Sequence, residues 1–160
     1  MGFYASHDLP FPRSEVWDWH TRPGAVTRLT PSFLPMTVTE EAGDLAAGTT
    51  RFSLPAGLQW VARHDLAHYR AGAQFSDVCL TAPLKQLTNW RHTHTFTDFG
   101  SGTRITDDVH TRVPAALLKA TFAYRQHQLL EDLKFLARLA RLSPAPARPL
   151  RVALTGASGS

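Results

Sequence analysis

Apolar residues recur at intervals of three, four and seven through the C-terminal run Pro114 to Leu142. Leu118, Phe122, Leu129, Leu133, Leu136 and Ala140 fall on one face of a single long helix. Pro114 suits a first helical turn, and no proline or glycine interrupts until Pro144. Lys134, Arg138 and Arg141 stand near the C-terminal end, where cations favour the helix dipole. Arg125 and Gln126, halfway along, break the apolar face. A helix of this kind cannot bury its stripe alone, so the chain before it must supply the opposing surface.

That chain reads mainly as strand. Phe3, Ala5 and His7 alternate with Tyr4, Ser6 and Asp8 in a first strand, Gly2 to Leu9, ended by Pro10 and Pro12. Ser14 as N-cap predicts a short helix from Glu15 to about Thr21, with Val16, Trp17 and Trp19 as its bulk. Pro23-Gly24 breaks it, and Ala25 to Leu29 reads as a second short helix. From there the period is two. Strands are predicted over Met36–Glu41, Thr49–Leu54, Leu58–Tyr69, Ala73–Leu80, Gln86–Phe99 and Thr103–Val113, with Gly-containing turns between them. The order is strand, two short helices, six strands, long helix. It predicts an α+β domain in which a curved antiparallel sheet of about seven strands wraps the C-terminal helix. A cavity remains wherever the helix does not fill the sheet's concave face.

Composition narrows the class. The chain has 160 residues, 43% hydrophobic and 19% charged, enough for one domain with a core. Met1 to Val16 holds no sustained apolar run, and no stretch approaches the length of a membrane span. A single cysteine, Cys79, excludes an intrachain disulfide and fits a reduced cytoplasmic setting. The net charge of +4 comes with no basic run interleaved with aromatics, so neither nucleic acid nor membrane is expected as a partner.

After the helix, Ser143 to Pro149 reads as a Pro/Ala linker. Leu150 to Ser160 then runs from a short apolar strand into Thr155-Gly156-Ala157-Ser158-Gly159, the way a dinucleotide-binding unit begins. Gly156 and Gly159 would contact a cofactor only in a longer parent chain. A third glycine, the following helix and a ribose-binding acid are not in this sequence. The expectation is three parts: a domain over 1–142, a linker over 143–149, and the first strand and turn of a truncated Rossmann-like domain over 150–160. A Gly/Ser-rich tail without such a role is the alternative.

The candidate chemistry lies on the inward strand faces. Trp90, His92, His94 and Phe96 share one face, and Arg91, Thr93, Thr95 and Thr97 the other. Ile105, Asp107, Val109 and Thr111 share a face on the following strand, and Phe75, Asp77 and Cys79 on the preceding one. Buried charges need partners, so a network is expected: His92 and His94 with Asp77 or Asp107, and Arg125 with one of those carboxylates. Such a network could only fix register, or it could be the polar end of a ligand pocket. His-x-His could also place two imidazoles on one ion, with Asp107 or Asp77 as third ligand, but no metal is assigned. A His–Asp pair could serve as acid and base. His110 alternates away from Asp107, towards the surface.

The element order over Gly2 to about Leu142 resembles the START-like helix-grip superfamily, also called SRPBCC or polyketide-cyclase-like. The motifs Trp90-x-His92-x-His94-x-Phe96, Asp107-x-Val109-x-Thr111-x-Val113-Pro114, and Phe122-x-Tyr124-Arg125 with Asp132-Leu133 sharpen the likeness. They are similar to the form of that domain placed ahead of an epimerase-like, extended short-chain dehydrogenase domain, and Val152 to Gly159 resembles the start of the latter. The family usually has an aromatic residue where Thr111 stands, Gly-Pro-Phe where Ala82-Pro83-Leu84 stands, and His at the position of Gln126. The resemblance implies a cavity for a small hydrophobic or amphipathic ligand. Leu118, Phe122, Leu129, Trp90 and Phe96 would line it, and His92, His94, Asp77, Asp107 and Arg125 would orient a polar head. It implies no cofactor in this chain, and NAD(P) in a C-terminal Rossmann-like domain that would also be the module's partner. A cyclase- or hydratase-like enzyme, or a docking domain with no ligand, are the other functions such a fold can host.

Overall fold

The computed structural model describes residues 2–142; the expected linker and Rossmann-like start, with Gly156 and Gly159, lie outside the described residues. β1 (Gly2–Leu9) leads into two short helices, α1 (Arg13–His20) and α2 (Ala25–Leu29). The strands β2 (Thr37–Glu40), β3 (Thr49–Ser53), β4 (Gln59–His64), β5 (Gln74–Cys79), β6 (Arg91–Phe99) and β7 (Gly102–His110) follow, with a short helix α3 (Leu84–Thr88) between β5 and β6. The long helix α4 (Ala115–Leu142) closes the domain. All seven strands form one antiparallel curved sheet in the order β1-β7-β6-β5-β4-β3-β2. β1 returns to pair with β7, so the first and last strands meet. None of the helices among the described residues is long and apolar enough to cross a membrane.

Local chemistry accounts for most of these boundaries and for three departures from the predicted ones. α1 begins at Arg13, directly after Pro12, and Ser14 lies inside its first turn rather than capping it. The predicted strand Leu58–Tyr69 is shorter: β4 stops at His64, and Asp65 caps a 3-10 turn over Leu66–His68 by accepting the Ala67 N–H. The predicted strand from Gln86 is a helix up to Thr88. Leu84 and Leu87 have helical spacing, and Asn89 ends the helix in the left-handed region (φ 46°) before the chain turns into β6. The β6–β7 hairpin pairs Phe99 with Gly102 across a two-residue turn, where Gly100 takes φ +59°.

α4 buries Leu118, Phe122, Leu129 and Leu133. These residues fall into two separate apolar clusters. Leu129 and Leu133 join Val16, Trp17, Phe75, Phe96 and Ile105 in a large one closed over by α1 and α2. Leu118 and Phe122 join Val109 in a small one, fringed by half-buried Phe3, Trp90 and Val113. The turns of α4 between Phe122 and Leu129 carry Arg125 and Gln126, so the apolar core is interrupted at the level where these residues face the sheet.

Candidate functional site

Strand register assembles the polar residues at that interruption. Asp77 of β5 lies opposite His92 of β6, and Phe75 opposite His94. On the other side, His94 lies opposite Asp107 of β7, and His92 opposite Val109. His92, His94 and Asp107 are all buried on the inward face, the alternation expected from the sequence. His110 is exposed, as its phase predicts.

Asp107 is the hub. Its Oδ1 accepts from His92 Nε2 at 2.9 Å and from His94 Nδ1 at 2.9 Å. The two imidazoles lie with centroids 3.8 Å apart, and Phe75 stacks on His94 at 4.2 Å. Asp77 accepts the Trp90 indole N–H at 3.1 Å, while its other oxygen faces His92 Nδ1 at 3.7 Å, beyond hydrogen-bond reach. Trp90 and Phe122 present edges to His92.

Burial and charge set the protonation states. Burial alone would raise Asp107, but the hydrogen bonds from His92 and His94 hold it well below the usual carboxylate range. Burial, and then the neighbouring His92, push His94 well below its ordinary value despite Asp107. His94 is therefore neutral, gives its Nδ1–H to Asp107, and keeps a lone pair on Nε2. His20, in α1, donates Nδ1–H to the Val16 carbonyl at 2.8 Å, and burial pushes it down to about 4.

A second set of groups faces the same layer without hydrogen-bond or salt-bridge partners among the described residues. Both ring nitrogens of His7 are buried and unbonded among the described residues. Burial lowers His7, opposed by Asp107 and Asp8. Arg125 has no carboxylate in salt-bridge contact among the described residues, although the sequence predicts one. Burial lowers its guanidinium, opposed through space by Asp107 and Asp77. His7, His20, His94, Asp107, Arg125 and Leu129 border a cavity between sheet and helix of about 10 Å³, room for one water.

Of the residues predicted to bind a ligand, His94, Asp107, Arg125 and Leu129 therefore border this cavity. His92 and Asp77 lie behind it in the hydrogen-bonded layer. Trp90, Leu118 and Phe122 belong to the small apolar cluster. Phe96 corrects its expected place: it is 2% exposed and packed against Trp17, His20 and Phe75, not against open space. His7 and His20 were not among the predicted site residues. The alternation of β1 already sets His7 on one face with Phe3 and Ala5, whereas nothing in the sequence of α1 singles out His20. A larger opening of about 270 Å³ lies elsewhere, at the surface between the α1–α2 turn and the second half of α4, beside Trp19, Arg22, Phe135 and the Arg28–Asp132 ion pair.

No family model matches the chain, and no curated protein does. Solved structures do. The chain is 61% identical to a nucleoside-diphosphate sugar epimerase from Corynebacterium glutamicum, with a TM-score of 0.83 over 87% of this chain. It spans 30% of that epimerase's length, so the match is to one part of a larger protein. Protein CV1439 from Chromobacterium violaceum shares the fold at 14% identity and a TM-score of 0.64, with 83% of this chain and 96% of that one covered. DynU16, from the dynemicin biosynthetic locus, does so at 20% identity and a TM-score of 0.57, over 83% of this chain and 47% of its own. At these identities the last two show the fold alone.

Proposed function

We propose that residues 2–142 are a ligand-binding module of a longer, cytoplasmic protein resembling nucleoside-diphosphate sugar epimerases. The module holds a small amphipathic ligand between sheet and α4, its polar head against Arg125, His7 and His94. NAD(P) belongs to the C-terminal domain of that parent, to which Gly156 and Gly159 would contribute. The match to part of an epimerase supports the modular arrangement.

One observation carries the ligand reading: both nitrogens of His7 are buried at one small cavity without partners among the described residues. An unsatisfied buried donor or acceptor costs about 1–3 kcal/mol, and His7 has two such atoms beside Arg125, which has no salt-bridge partner among the described residues. A ligand head with an acceptor for Arg125 and a donor or acceptor for His7 removes that cost. The cavity's volume is that of a water, so binding draws α4 away from the sheet or swings Arg125 and Gln126 outward. An acid–base role has less support, because His94 and His20 both lie below the neutral range where an imidazole shuttles protons.

Native mass spectrometry of the 1–160 chain and of the longer protein, before and after denaturation, tests this reading. The expected result is an organic adduct that survives native conditions, is released on unfolding, and is lost in Arg125→Met. Bare polypeptide mass in both proteins, with no small amphipathic ligand taken up on addition, would overturn it.

A further inference from the structure

The hydrogen bonds around Asp107 have a second consequence. Asp107 Oδ1 lies 2.9 Å from both His92 Nε2 and His94 Nδ1, so one oxygen engages one nitrogen of each ring. The ring nitrogens on the far sides of these contacts are His92 Nδ1 and His94 Nε2. His92 Nδ1 then faces the Asp77 carboxylate at 3.7 Å. The two atoms face each other without a hydrogen bond in an interior where both side chains are mostly covered, 4% and 16% exposed. A proton on Nδ1 would bridge them poorly, because N–H···O bonds run to about 3.2 Å. A cation bound to both fits. Metal–ligand bonds of about 2.0–2.2 Å place neighbouring donor atoms about 3.4 Å apart at the tetrahedral angle, and further apart as that angle widens.

We propose that Asp77, His92 and His94 form a binding site for a divalent first-row transition ion, Zn²⁺ foremost, with Asp107 as the positioning residue. One donor atom from each of the three ligands lies within 4.8 Å of the other two. Two imidazoles and a carboxylate are a donor set that suits zinc and leaves at least one coordination position open. Asp107 supplies the carboxylate–histidine–metal arrangement twice over, fixing the tautomer and tilt of both rings from one oxygen. Charge favours the ion: the Asp77 and Asp107 carboxylates together outweigh the one Arg125 cation facing them. The partly exposed Asp77 edge, flanked by Trp90, is the route of entry. This site needs no organic ligand; it shares His94 with the pocket proposed above but does not rest on that reading.

The test is Co²⁺ titration of the metal-stripped 1–160 chain, followed by its visible ligand-field bands, with Zn²⁺ displacement as readout of affinity. Asp77→Asn keeps the acceptor for the Trp90 indole and removes the ligand charge, so it should fold, as circular dichroism would verify. The expected result is saturation at one equivalent, at least about a tenfold loss of affinity in Asp77→Asn, and a 10–100-fold loss with altered bands in Asp107→Asn. Weak binding at several equivalents, which exposed His68, His110 and His127 would give, overturns the proposal. So does equal affinity in wild type and Asp77→Asn. Neither result bears on whether an organic adduct is found.

Discussion

The polar layer that divides the core has two halves of opposite bookkeeping, one of buried residues, His92, His94 and Asp107, and one of half-buried residues, His7 and Arg125. On the β6 side, Asp107 receives an N–H from each of two histidines, and Asp77 receives one from Trp90. On the β1 and α4 side, both His7 nitrogens are buried without a hydrogen-bond partner among the described residues, and Arg125 feels Asp107 and Asp77 only through space. A buried charge that is fully paired stiffens its surroundings and is costly to break. A buried polar group left open is a standing cost that protein stability alone does not explain. The first half is built to hold position. The second leaves polar atoms open, and the two call for different responses to mutation.

The largest effect should come from removing the hub. Asp107→Ala leaves the His92 and His94 N–H groups buried without an acceptor and should destabilise the domain by about 3–5 kcal/mol, read as a lower urea midpoint. Acid comes next. His20 has its folded value lowered to about 4, and His94 and His7 are lowered as well. An unfolded chain takes up protons at these histidines below about pH 6.5, and the folded chain does not until lower pH. Stability is then fully present above that range and falls as pH drops through it towards 4, by about 3 kcal/mol for His20 alone. Asp107, whose folded value is depressed, adds a further loss only below about pH 4, where the unfolded carboxylate protonates. Denaturant midpoints at pH 7 and pH 5 check this. His20→Phe should flatten the slope, and an unchanged midpoint would mean that the three histidines are not shielded.

The half that holds position is largely legible in the sequence. Strand alternation sets His92, His94 and Phe96 on one face and Asp107 on its neighbour, because side chains in a strand repeat every two residues whatever their tertiary partners. The same rule fails over Gln86–Asn89, where a left-handed Asn89 and helical leucine spacing override an apparent two-residue period. Partner choice is not legible. Asp107 rather than Asp77 is the hub because it sits directly across from His94 and diagonally from His92, a register that hydrophobicity does not encode. Arg125 is legible as inward-facing from the helical period. Its failure to touch a carboxylate depends on how far α4 stands from the sheet, which is set by the summed volumes of Trp17, Phe75, Phe96 and Leu129. His20 enters the site only because α1 folds back over β6, a contact between distant parts of the chain.

The smallest stability effect should belong to the open half, and it is the one that separates the halves most sharply. Arg125→Met keeps the length and packing of the side chain against Phe122 while removing a half-buried charge that has no salt-bridge partner among the described residues. His7→Phe likewise replaces two unsatisfied nitrogens with carbon. Each should leave the urea midpoint unchanged or raise stability by up to about 1 kcal/mol, in contrast with the Asp107→Ala loss on the other side of the same layer. If the open half receives a ligand, the same substitutions should abolish the adduct seen by native mass spectrometry while the domain stays folded. Marked destabilisation by Arg125→Met would instead mean that the guanidinium is held by Asp107 and Asp77 across the intervening space. The two halves would then be one closed network.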